Sequence, residues 1–142
     1  MSIGPEYIAG FFDGEGCISA RVNNRGQVIV TISIVQKGAH VLREIKDYFE
    51  YGCLRRMSGE SRKTHNLWSY QVLGSEQKLD FLRIIYPHLI VKREQTELAI
   101  KLMTRFVDMG NPRSAKIPKD EKEVRVELAK RITELKTIKE EL

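Results

Sequence analysis

The stretch that most constrains this chain is Tyr7-Ile8-Ala9-Gly10-Phe11-Phe12-Asp13-Gly14-Glu15-Gly16, an apolar run that ends in a carboxylate held between two glycines. Gly4-Pro5-Glu6 precedes it and marks a helix start, since proline suits the first helical position and an acid suits the positive end of the dipole. Gly14 and Gly16 set the expected end of the helix. Gly10 and Gly14, four apart, share one face and leave it bare, so a second helix can approach backbone to backbone. Tyr7, Gly10, Phe11 and Gly14 are the residues expected at that contact. Glu15 is expected just past the helix C-terminus, where the dipole and the unpaired carbonyls disfavour an anion. A bound cation relieves both. A Gly-x-Gly string alone would be an ordinary helix cap with a solvated acid, so the weight lies on the whole ten-residue string.

The rest of the chain reads as two repeats of hairpin then helix. Cys17–Asn23 alternates, with Ile18, Ala20 and Val22 on one face and Cys17, Ser19, Arg21 and Asn23 on the other. Asn24-Arg25-Gly26 is a turn. Gln27–Val35 is the partner strand, with Val28, Val30, Ile32 and Ile34 inward and Gln27, Ile29, Thr31 and Ser33 outward. Val41, Leu42, Ile45 and Phe49 follow the helical period over Ala39–Tyr51, and Gly52 suits the position after that helix. A second hairpin follows, Cys53–Met57 and Asn66–Leu73, joined by the polar loop 58–65, with Trp68, Tyr70 and Val72 inward and Ser69 and Gln71 outward. Ser75 is placed to cap a helix over Glu76–Tyr86, which Pro87 ends. Glu94–Met109 is helical up to Gly110-Asn111-Pro112. A linker leads to a charged helix from Glu121, whose Val124, Leu128, Ile132, Leu135 and Ile138 form a stripe expected to dock on the domain. The expected fold is therefore α+β, in the order αββαββα. Its two antiparallel hairpins make a four-stranded saddle backed by helices, with a core domain at 1–110 and a linker and C-terminal helix at 111–142.

Charge placement distinguishes the two faces of that sheet. Residues 16–43 hold Arg21, Arg25, Lys37 and Arg43 with no acid, and residues 53–75 hold Arg55, Arg56, Arg62 and Lys63 against Glu60 alone. The chain as a whole nets only +5, so the remainder is net negative. Such asymmetry fits a nucleic-acid surface. A two-stranded ribbon enters the major groove, where Arg, Asn, Gln, Ser and Thr match base-edge donors and acceptors. The expected DNA contacts are Ser19, Arg21, Asn23, Arg25, Gln27, Thr31, Ser33, Arg55, Ser69 and Gln71, with Ile29 and Met57 suited to thymine methyls. Cys17 and Cys53 make no disulfide framework, and His40, His65 and His88 are not spaced as zinc ligands. With no apolar run of membrane-spanning length and no leader pattern, an intracellular chain without membrane or organic-cofactor partners is expected.

Ala9-Gly10-Phe11 and Asp13-Gly14-Glu15-Gly16 resemble, without a gap, the motif helix of the LAGLIDADG homing endonucleases. The resemblance is strong in the motif and extends more weakly over residues 5–110. It implies that Glu15 and the backbone carbonyl of Gly14 bind a divalent metal, Mg²⁺ or in its place Mn²⁺ or Ca²⁺, and that Asp13 serves the structure of the helix end. Gln36, in Val35-Gln36-Lys37, falls where the family orders the nucleophilic water. Lys92, in Ile90-Val91-Lys92-Arg93, falls where it stabilises charge near the phosphate, with Arg93 as a substitute. His40 stands where some relatives have an arginine. The motif occurs once, because Phe106-Val107-Asp108-Met109-Gly110 lacks the second acid and glycine. One carboxylate per chain is half a site, so two copies pairing through their glycine faces would bring two Glu15 side chains together over double-stranded DNA. The resemblance then implies a homodimeric endonuclease that cuts a long pseudo-palindromic site in both strands, leaves short 3′ overhangs and is encoded in a mobile intron or an intein, with the intron favoured. The alternatives are a non-catalytic RNA maturase or transcription regulator on the same scaffold, against which Glu15 argues, and a helix-mediated protein-interaction domain.

Overall fold

The computed structural model describes residues 2–57, 66–112 and 116–141, with side chains up to Thr137. The expected loop 58–65 and the side chain of Ile138 lie outside the described residues. The first helix, α1 (Pro5–Glu15), starts after Gly4 with proline at its first turn and buries Ile8, Ala9 and Phe12. It runs directly into β1 (Gly16–Val22), so Glu15 is its last residue rather than one beyond it. Gly16 does not end the helix by backbone freedom, since its φ of −81° suits any residue. It is glycine because a Cβ there would lie 2.2 Å from the Phe12 ring.

β1 pairs antiparallel with β2 (Val28–Lys37), which continues two residues past its expected end. The turn between them is as read: Gly26 takes a φ of +73° and its N–H donates to the Asn23 carbonyl at 3.0 Å. Val28, Val30, Ile32 and Ile34 are all buried, as the alternation requires. Helix α2 (His40–Phe49) buries Leu42, Ile45 and Phe49. It ends on Glu50, whose φ of 62° supplies the left-handed cap expected of Gly52. Gly52 is needed for another reason: its φ is +101°, and a Cβ would meet the Tyr70 ring at 2.5 Å.

The second hairpin consists of β3 (Cys53–Arg56) and β4 (Leu67–Val72). β4 lies beside β2, giving the antiparallel order β1-β2-β4-β3. Val30 lies beyond the last β2–β4 pair, and its carbonyl accepts a hydrogen bond from Lys78 Nζ at 2.6 Å. Helix α3 (Ser75–Ile85) follows Gly74, with Ser75 as its first residue and no side-chain cap bond, which corrects the cap expected there. A single 3₁₀ turn, Tyr86–His88, leads to α4 (Arg93–Met109), which stops at Gly110 as the sequence indicates.

The last helix, α5 (Lys119–Glu141), starts just after Pro118 and runs along the outer edge of β1. Its inner face differs from the expected stripe. Val124 is exposed and Leu128 only half-buried, while Glu121, Arg125, Ala129 and Ile132 are buried. Ala129 and Ile132 join one hydrophobic core that begins with Ile8 and includes Tyr70, Phe81 and Leu102. All the helices back this core, leaving the opposite sheet face open. Among the described residues no helix is long and apolar enough to cross a membrane.

Candidate functional site: the end of the first helix and the open sheet face

The C-terminal turn of α1 is held by residues far along the chain. The Asp13 carboxylate accepts the backbone N–H of Ile90 at 2.8 Å and of Lys92 at 2.9 Å, while Lys92 Nζ donates to the Asp13 carbonyl at 2.7 Å. Lys92 immediately precedes α4, so Asp13 takes up N–H groups at the start of a helix 79 residues away. In return the ammonium satisfies a carbonyl at the negative end of α1. This exchange brings Lys92 to the segment that carries Glu15, which is exposed. Asp13 is thus structural, as expected, but the partner it secures is not visible in local sequence.

Gln36 stands on β2 two residues beyond Ile34, which pairs with Gly16. It therefore lies at the strand end that flanks Gly14 and Glu15, with the side-chain sense of the inward-facing Ile34. His40 is exposed at the first position of α2. One turn later, Arg43 lies over the Trp68 ring, 5.6 Å from its centroid, and Trp68 is the cross-strand partner of Gln36. The acceptors available near the helix end, the Glu15 carboxylate and the Gly14 carbonyl, are hard oxygen donors of the kind Mg²⁺ and Ca²⁺ prefer. No cluster of three or more His, Cys, Asp or Glu suited to a metal occurs among the described residues. The Glu15 carboxylate and the Gly14 carbonyl are thus a donor set that fits a hard divalent cation.

Strand register arranges the expected DNA contacts in rows on the open face. Arg21 pairs with Ile29 and Ser19 with Thr31. Cys17, Ser33, Gln71 and Cys53 form a row across all four strands, and Val35, Ser69 and Arg55 form the next. Arg21, Arg25, Arg55 and Met57 are exposed, while Ile29, Thr31, Ser33 and Gln71 are half-buried. Ser69 shares the face but is 5% exposed, because it is short and sits on a central strand between Val35 and Arg55. Asn23 and Gln27 are engaged with each other. Asn23 Nδ2 donates to Gln27 Oε1 at 2.9 Å, and Asn23 Oδ1 accepts the N–H groups of Arg25 and Gln27. Asn23 thereby locks the hairpin turn and has little hydrogen-bonding capacity left for a base.

The remaining face of α1 is bare. Gly10 and Gly14 are exposed, and a Cβ built on either meets nothing within 4 Å. Tyr7, 50% exposed, stacks on Phe11 beside them, with ring centroids 6.3 Å apart. Nothing inside the described chain requires glycine at these two positions.

Fold and site together define an α+β protein with a four-stranded antiparallel sheet, a basic open face and one exposed carboxylate at the end of the helix that enters the sheet. The chain belongs to the LAGLIDADG endonuclease family, whose profile matches residues 8–97. DNA endonuclease I-CvuI of Chlorella vulgaris is 24% identical over 114 residues, covering 75% of this chain and 67% of that protein. Its crystal structure, in complex with DNA in the presence of Mg, superposes with a TM-score of 0.74 over 92% of this chain and 80% of that one, at 21% identity. The archaeal intron-encoded homing endonuclease I-Vdi141I, in complex with DNA, gives a TM-score of 0.75 at 23% identity, covering 92% and 82%. Homing endonuclease I-TnaI matches 99% of both chains with a TM-score of 0.72 at 21% identity.

Proposed function

We propose that this protein is a homodimeric homing endonuclease that makes a double-strand break in a long pseudo-palindromic DNA site, in the context of intron homing inside the cell. The observation that carries the reading is the bare glycine face of α1 ending in Glu15. A face that none of the described residues fills, terminating in an exposed carboxylate, fits a two-fold pairing in which each subunit supplies one acid. I-CvuI, crystallised on its target in the presence of Ca and on another target in the presence of Mg, is consistent with divalent-metal use by a relative.

In the proposed reaction, Glu15 and the Gly14 carbonyl hold the metal. Mg²⁺ held by these two groups would supply charge neutralisation on the phosphate and a more acidic water. Gln36 orders the attacking water through its side-chain amide. Lys92, tethered at Asp13, adds positive charge near the leaving oxygen. Ser19, Arg21, Arg25, Ile29, Thr31, Ser33, Arg55, Met57 and Gln71 present the groove-facing surface, and Tyr7, Gly10, Phe11 and Gly14 form the subunit contact.

The test is Glu15→Gln, which keeps shape and removes charge. A duplex selected by the unmutated protein from a random library should still bind the variant, with cutting in Mg²⁺ reduced by at least about 10²-fold, the scale of one lost electrostatic catalytic group. Cutting at the unmutated rate would remove Glu15 from the mechanism. Binding without cutting by the unmutated protein would favour the non-catalytic alternative.

A further inference from the structure

We propose that α5 is part of the DNA interface and that Lys136 grips a backbone phosphate close to the one that is cut, an inference that rests on the DNA-binding reading above. α5 is fixed along the outer edge of β1 at several points. Lys122 and Arg125 line a narrow cleft with Gly26, Gln27 and Val28 at the hairpin tip, and Thr133 Oγ1 donates to the Ala20 carbonyl at 3.3 Å. At the other end, Lys136 Nζ lies 3.3 Å from Cys17 Sγ. The helix therefore follows β1 from its tip to its origin at α1.

The side on which Lys136 arrives is set by strand alternation. Ile18 and Ala20 point into the core, so Cys17 shares the sense of Ser19 and Arg21, and its partner Ser33 belongs to the same open row. Reaching the Cys17 thiol takes the Lys136 ammonium around the sheet edge to the groove-facing side. Its body is half-buried and its charge forms no ion pair among the described residues, where both ion pairs belong to Glu121. A thiol stabilises an ammonium far less than an anion does, so the cation remains available to a phosphate. Cys17 follows Glu15 by two residues, and successive phosphates on one strand advance by about 3.4 Å along the duplex. A lysine at this place therefore meets the backbone within one or two nucleotides of the position served by Glu15.

The experiment measures equilibrium binding of a library-selected duplex in Ca²⁺ over a range of salt, for the unmutated protein, Lys136→Met and Lys136→Arg. Each lost phosphate contact lowers the slope of log K against log salt by about 0.9, so a dimer losing two should show a slope smaller by about 1.8. Lys136→Arg should restore the slope. In the unmutated protein the same duplex should also slow alkylation of Cys17 by iodoacetamide, because phosphate and lysine close over the thiol. An unchanged slope in Lys136→Met, or Cys17 alkylated equally fast with and without DNA, overturns the inference while leaving the endonuclease reading intact. Absence of salt-dependent duplex binding by the unmutated protein overturns both.

Discussion

Asp13 and Glu15 are two residues apart and do opposite things, and their surroundings explain why. Asp13 points toward the start of α4, where a backbone N–H engages each of its two carboxylate oxygens, whereas Glu15 stays exposed. Tyr51 shows how burial shapes a group away from the site. Burial, and then the hydrogen bond to Asp80 at 2.8 Å, keep its phenol protonated well above the usual range near 10, and burial does the same to Tyr70. Unfolded tyrosines ionise near pH 10, so this stabilisation is complete below that value and is lost as pH climbs above it. Burial lowers the Lys78 pKa, so Lys78 contributes the opposite sign between its lowered value and the unfolded one near 10.5 and offsets part of that loss. Tyr51→Phe should cost about 1 kcal/mol at neutral pH and shrink the decline in urea midpoint above pH 10. A decline as steep as that of the unmutated protein would contradict the assignment. The alternation that buries Val28, Val30, Ile32 and Ile34, and the placement of Lys92 near the motif, were legible because each rests on local pattern or on the family string. The Asp13 clasp was not, since its partners lie 77 and 79 residues away.

At the scale of elements, α5 illustrates how a charged helix misleads a reading by hydrophobic stripe. Glu121 is 4% exposed and Arg125 2%, and they pair at 3.1 Å. Arg105 joins them at 3.3 Å, and Arg125 donates to the carbonyls of Arg105 and Gly110 while stacking 4.6 Å over Phe106. These partners come from α4 and its end, so the sequence of α5 by itself marks both residues as solvated. Val124 could be read as core for the same reason, although the helix is turned to bury its ion pair. Removing one member of such a pair strands the other, at a cost of about 3–5 kcal/mol, whereas replacing both by apolar residues is often neutral. Glu121→Ala should therefore destabilise the chain in urea by that amount, and Glu121→Leu with Arg125→Met should recover most of it. Equal losses in the single and double variants would mean that packing of the two stems, rather than the stranded charge, sets the stability.

At the scale of the whole molecule, the proposed dimer separates two properties that usually change together. Within the described chain, Gly10 and Gly14 contact nothing that a methyl group would disturb. Alanine is favoured over glycine inside a helix by about 0.5–1 kcal/mol. Gly10→Ala with Gly14→Ala should thus leave the protomer as stable as before or more so, as judged by thermal unfolding at low concentration. The same two methyl groups stand where the partner backbone must approach, and they should shift the sedimenting species from dimer toward monomer. If, as proposed, cutting needs two Glu15 carboxylates over one duplex, it should fall with dimerisation and show a steeper than linear dependence on protein concentration. A mere loss of folding predicts the reverse, a lower melting temperature with the loss of activity. A double-alanine variant that remains dimeric and cuts both strands normally would show that the subunits meet elsewhere, and the bare face of α1 would need a different occupant.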